Sequence, residues 1–83
     1  MQVTDAVRRF LAETLRIPDA AGLAQDLPLV QKGVIDSLEL VQVAGFLEKT
    51  YGIRVEDTDM VPSNFRSLAT MEAFVERKRA VAG

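Results

Sequence analysis

Asp36-Ser37-Leu38-Glu39-Leu40-Val41-Gln42-Val43-Ala44-Gly45-Phe46-Leu47-Glu48-Lys49-Thr50-Tyr51-Gly52 reads as one capped helix, and the rest of the chain is arranged around it. Asp36 is a good N-cap, and Glu39 follows three residues later, at the spacing of a capping box. Leu40, Val43, Ala44, Leu47 and Tyr51 fall within about 100° of one another at 100° per residue, which makes one core-facing stripe. Gly52 is a natural residue for the C-terminal cap. Leu38 and Val41 lie off that stripe, beside Ser37 at the helix mouth, and are expected to face solvent or a partner. Single exposed apolar side chains are common, so this feature alone assigns no function.

Upstream, Val3, Val7, Phe10, Leu11, Thr14 and Leu15 recur at three- and four-residue spacing, the pattern of a first amphipathic helix that Pro18 closes. Pro18, Gly22, Pro28 and Gly33 punctuate the stretch from Ile17 to Asp36. A connection of about twenty residues is long for a compact domain. Leu23, Leu27, Leu29, Val30, Val34 and Ile35 are expected to pin it to the core, with a short helical turn around residues 20–25. Downstream, Ile53-Arg54-Val55 reads as an extended link and residues 56–60 as an acidic helical turn, before Pro62, Ser63 and Asn64 break the chain. Ser67 can N-cap a last helix with Leu68, Met71, Phe74 and Val75 on one face. Arg77, Lys78 and Arg79 in its last turns complement the helix dipole. The expectation is an all-α fold: a small up-down four-helix bundle, three main helices plus one short one, in a single domain over residues 1–83.

Composition narrows the function. The 83 residues contain no Cys and no His, which removes disulfides, thiolate and Ser-His nucleophiles, His-ligated zinc and imidazole acid–base work. Reactive chemistry must therefore come from a partner or a prosthetic group. Glu56, Asp57 and Asp59 lack the Gly-containing spacing of a calcium loop. No apolar run reaches the ~20 residues of a membrane span, and no signal peptide is visible. A cytoplasmic location, no membrane partner and a monomeric state are the default expectations. Ten Lys+Arg against twelve Asp+Glu argue against nucleic acid as a partner. The charge is uneven: residues 19–59 hold eight acids and three bases, a field that would steer basic partners.

Gly33-Val34-Ile35-Asp36-Ser37-Leu38-Glu39 resembles the modification site of acyl and peptidyl carrier proteins, whose core is Asp-Ser-Leu at the start of the second helix. The context extends the resemblance from about residue 3 to residue 79. An N-terminal helix and a long Pro/Gly loop precede the motif. Leu47-Glu48-Lys49-Thr50-Tyr51-Gly52-Ile53, an acidic turn, and Asn64-Phe65-Arg66-Ser67-Leu68 at the start of a final helix follow it.

The resemblance implies that Ser37 receives 4′-phosphopantetheine from coenzyme A through a separate Mg²⁺-dependent phosphopantetheinyl transferase. The chain would then be a carrier and not an enzyme. A serine in the first turn of a helix suits this, because unpaired N–H groups and the positive dipole end favour an attached phosphate. Two readings of Ser37 compete on local sequence: an attachment site, or a serine present for capping. Asp36 likewise reads as an N-cap and, in the family, as a residue that helps the transferase recognise the site. Asp36, Leu38, Glu39, Val41, Gln42, Glu56 and Asp57 are the candidate partner-docking residues. Val34-Ile35 stands where fatty-acid carriers have Gly-Ala and many peptide-synthetase modules Gly-Gly. Gln42 and Lys49 stand where fatty-acid carriers place acids. Ile-Asp-Ser-Leu and Tyr-Gly-Ile-x-Val are closer to stand-alone carriers of the aminoacyl, D-alanyl and secondary-metabolite type, as in polyketide and nonribosomal peptide pathways. Those partner with an AMP-forming ligase and with downstream synthase, transferase or tailoring enzymes. Beginning at Met1 and ending at Gly83 fits a free-standing carrier. The alternatives are a fatty-acid synthase carrier and a carrier-shaped interaction module left unmodified at Ser37.

Overall fold

The longest apolar stripe in the chain becomes its central wall. In the computed structural model, which describes the backbone of residues 2–82 and the side chains of residues 3–80, four α-helices form: α1 (Gln2–Glu13), α2 (Ser37–Tyr51), α3 (Pro62–Phe65) and α4 (Leu68–Ala82). Met1 and Gly83, on which the free-standing expectation leans, lie outside the described residues. No strand occurs among the described residues, and the all-α expectation holds. Val43, Ala44 and Leu47 of α2 are buried against Val3, Val7 and Leu11 of α1 and Leu68, Met71, Phe74 and Val75 of α4, in one apolar core. Leu40 and Tyr51 pack at its edge. Each fully buried side chain of this size contributes on the order of 1.5–3 kcal/mol, so the core outweighs any intrinsic helix propensity.

The long connection is pinned as its apolar residues require. Leu29 and Ile35 are buried, and Leu23, Leu27 and Val34 pack against the core. Backbone bonds sew it to the far end of the chain: Leu29 N–H donates to the Arg66 carbonyl at 2.8 Å, and Ala69 N–H donates to the Gln25 carbonyl at 2.8 Å. Arg8 Nε donates to the Leu23 carbonyl at 3.0 Å and tethers the loop to α1. The expected turn at 20–25 is present as a shorter 3₁₀ turn at Ala20–Gly22. Val30 departs from expectation. It is 42% exposed rather than pinned, because neighbouring Leu29 takes the core position.

Two further differences have local causes. Thr14 is exposed, since α1 ends at Glu13 and the chain then turns through left-handed backbone at Arg16 (φ +59°). Pro62, Ser63 and Asn64 do not break the chain. They open the one-turn helix α3, with Pro62 in the first turn, where its fixed φ suits a helix and its missing N–H has no partner to lose. The acidic turn is a 3₁₀ turn at Asp57–Asp59. It is latched to α4 by Lys78 Nζ on Asp59 Oδ2 at 2.7 Å, while Arg77 Nη2 donates to Asn64 Oδ1 at 2.6 Å. The basic end of α4 therefore has side-chain partners in addition to the helix dipole.

Candidate modification site at the start of α2

The start of α2 is organised by Asp36, not by Ser37. Asp36 is extended (φ −101°, ψ −177°) and stands one residue outside the helix. Its Oδ1 accepts the Glu39 N–H at 2.8 Å, and Glu39 Oε1 accepts the Asp36 N–H at 2.9 Å, which completes the capping box read from the sequence. Leu40 N–H donates to the Asp36 carbonyl at 3.0 Å. Capping is thus complete without the neighbouring hydroxyl.

Ser37, at the first helical position, is exposed, and its Oγ makes no hydrogen bond among the described residues. The backbone N–H groups of Ser37 and Leu38 have no acceptor there either, as the geometry of a helix start dictates. The other two serines differ. Ser67 is buried at 4% exposure, its Oγ accepting the Thr70 N–H at 3.3 Å while its own N–H donates to Thr70 Oγ1 at 3.0 Å. Ser63 is exposed but sits in the four-residue α3. Ser37 alone combines a free hydroxyl with the mouth of a fifteen-residue helix. A phosphodiester there would meet two unpaired N–H groups and the positive end of the dipole, so the residues present suit an attached phosphate.

The expected docking residues separate into groups. Leu38 (76% exposed) and Val41 (59%) project from the outer face of α2, with Gln42 beside them. Asp36 and Glu39 face each other in the capping box. Glu56 and Asp57 lie on the turn after α2, where Glu56 Oε2 pairs with Arg54 Nε at 3.1 Å. The acidic middle of the chain is accordingly less available than its count implies. Glu48 Oε2 accepts the Val55 N–H at 2.8 Å, and Asp59 Oδ2 accepts the Glu56 N–H at 2.9 Å as well as the Lys78 ammonium. The Asp59 carboxyl is held below its ordinary value by the Lys78 hydrogen bond and then by the Glu56 N–H. Asp57 alone among Asp36, Glu39, Glu48, Glu56, Asp57 and Asp59 makes no side-chain bond among the described residues.

One feature beside the site has no counterpart in the sequence reading. Pro28, Val30, Leu40, Met60, Val61 and Phe65 line an open apolar cleft of about 270 Å³, with Gln31 and Arg66 at it as well. Leu40 is one turn from Ser37, so the cleft adjoins the site. It arises because the loop before α2 and the turn before α3 meet there. Two of its apolar wall residues, Val30 and Val61, are left 42% and 38% exposed.

Comparison with known proteins agrees with this geometry. The family described as "Phosphopantetheine attachment site" matches residues 5–75. No curated protein matches the chain. No helix among the described residues is long and apolar enough to cross a membrane. Domains of this family are generally non-catalytic carriers that interact with a phosphopantetheinyl transferase and with partner enzymes. With the match running from α1 into α4, the chain belongs to the acyl and peptidyl carrier family, whose members bind 4′-phosphopantetheine covalently.

Proposed function

We propose that Ser37 is the attachment residue and that the chain is an acyl or aminoacyl carrier of the secondary-metabolite type, loaded by a discrete AMP-forming ligase. The observation that carries this reading is the division of labour at the helix mouth. Asp36 caps α2, so Ser37 has no capping task, and its hydroxyl stands free and exposed. A serine with no capping bond to make supports the attachment reading over the capping one.

In the attachment step, Ser37 Oγ attacks the diphosphate phosphorus of coenzyme A that bears the pantetheine. The new Oγ–P bond replaces the phosphoanhydride bond, the nucleotide half leaves, and the hydroxyl proton passes to the transferase or to solvent. The N–H groups of Ser37 and Leu38, without acceptors among the described residues, would be available to the phosphodiester oxygens. The attached group ends in a thiol, which supplies the nucleophile this chain lacks and holds acyl or aminoacyl groups as thioesters. Leu38, Val41 and Gln42 present the face on which partner enzymes dock, and Asp36 offers a carboxylate at its edge. An outer face carrying Gln42 and Lys49, where fatty-acid carriers place acids, supports ligase-loaded aminoacyl or polyketide carriers over a fatty-acid synthase carrier.

The test is intact-protein mass spectrometry after incubation with coenzyme A, Mg²⁺ and a phosphopantetheinyl transferase. One added phosphopantetheine is expected on the native chain and none on Ser37→Ala. A folded native chain left unmodified by more than one transferase would favour an interaction module instead.

A further inference from the structure

Two of the four phenylalanines stay at the edge of the core. Phe65 and Phe74 are buried, whereas Phe10 of α1 and Phe46 of α2 are only half-buried, stacked on each other with ring centroids 4.6 Å apart. With Ala6 and Thr14 they line an open groove of about 290 Å³ between the two helices. Aromatic surface left in water is unfavourable, and aromatic side chains are enriched where proteins meet.

The groove also carries two ionised side chains, Arg9 and Glu13, both exposed. Neither makes a hydrogen bond or ion pair among the described residues, whereas neighbouring Arg8 pairs with Asp5 at 3.0 Å. Glu13 is the last residue of α1, where the helix dipole disfavours an anion. Nothing inside the chain offsets that cost.

Their spacing indicates what would. Arg9 and Glu13 stand about 6 Å apart along α1 and about 40° apart around it, on the side that carries Ala6 and Phe10. Take a second α1 running antiparallel, related by a two-fold axis at the height of residue 11. Arg9 of each copy then stands level with Glu13 of the other. The two Phe10 rings fall about 3 Å apart along the helix, each backed by its own Phe46. The same patch therefore complements itself, as a two-fold contact requires.

We propose that the groove between α1 and α2 is a self-association surface, on which a second copy of this chain docks with its first helix antiparallel. Two Arg9–Glu13 pairs close the rim and four phenylalanine rings fill the contact. One helix pair lies at the low end of interface sizes, so the dimer is weak and forms as concentration rises. It replaces the monomeric state expected by default. Ser37 stays free in it. That residue lies nine positions before Phe46, half-way round α2 and about 13 Å along it, so the pair presents two helix mouths away from the contact.

The test is sedimentation equilibrium at low salt and up to about 1 mM protein, on the native chain, Arg9→Glu, Glu13→Arg and an equimolar mixture of the two variants. The native average mass is expected to rise from 9.1 kDa toward twice that value. Each variant alone sets like charges opposite one another twice and should associate at least about tenfold more weakly. The mixture restores opposite charges and should associate within about threefold of native. Both positions are exposed, and circular dichroism should show both variants folded. A native chain that stays monomeric over this range overturns the proposal and leaves the groove to a partner of another kind. Variants that associate as the native chain does, or a mixture that stays monomeric, overturn it as well.

Discussion

Removing the Asp36 carboxylate should unbalance α2 in a calculable way. Asp36→Ala deletes the acceptor of the Glu39 N–H, a 2.8 Å bond, and leaves that donor at a helix start without a protein partner. The reverse bond, from the Asp36 N–H to Glu39 Oε1 at 2.9 Å, uses backbone and survives, as does the Leu40 N–H bond to the Asp36 carbonyl. One of the two reciprocal bonds is therefore lost, worth about 1 kcal/mol within a range of 0.5–2 kcal/mol for such caps. For a chain of this size that lowers the melting temperature by about 4–8 °C. Asp36→Asn keeps the acceptor, and asparagine caps about as well as aspartate, so its stability should stay within a few tenths of a kcal/mol of native. Urea denaturation followed by circular dichroism at 222 nm measures both. The same proteins are then assayed with the transferase. If the enzyme reads the carboxylate's charge, Asp36→Asn loses rate without losing stability, which separates recognition from capping. Finding Asp36→Asn as destabilised as Asp36→Ala, or Asp36→Ala as stable as native, would refute the assignment of Asp36 as the cap.

Other perturbations test the frame around the site. Gly52 ends α2 at φ +66°, a conformation that opposes a β-carbon, so Gly52→Ala should destabilise by about 1 kcal/mol in the same urea experiment. Leu47→Ala opens a cavity at a fully buried position and should lower stability by about 2–5 kcal/mol, enough to leave much of so small a chain unfolded at 37 °C by calorimetry. The Asp59 latch adds a pH dependence. Its folded carboxyl titrates below the ordinary 3.8, so its contribution is present above that value and is lost as pH falls through the lower folded value. Asp59→Asn should therefore be less stable than native at neutral pH and converge on it under acid, in melts repeated from about pH 6 down to about pH 2. A constant gap across that range would show that the Lys78 pairing contributes nothing.

The sequence made the site legible because its determinants are local. Capping chemistry needs a side chain and a backbone N–H three residues apart, so Asp36 and Glu39 could be paired, and Ser37 placed at the mouth, from spacing alone. The stripe from Leu40 to Tyr51 and the exposure of Leu38 and Val41 follow from one helical period. What escaped the sequence depends on contacts between distant segments. Val30 looked like an anchor until Leu29 took the core position, and its exposed side chain then became a wall of the cleft with Met60 and Val61. The acids looked like a docking field, but whether Glu48 faces a partner or holds the Val55 N–H depends on how the following link folds back. Pro62 read as a breaker because a proline that ends one segment and one that begins a short helix have the same sequence signature.

The central claim is that Ser37 carries the phosphopantetheine, and the most direct test is a peptide map, by tandem mass spectrometry, of the chain purified from the cells that make it. The account predicts a single phosphopantetheine on the peptide containing Ser37, with the peptides containing Ser63 and Ser67 bare. The group on either of those serines, or a chain with no modification in cells that hold an active transferase, would contradict it.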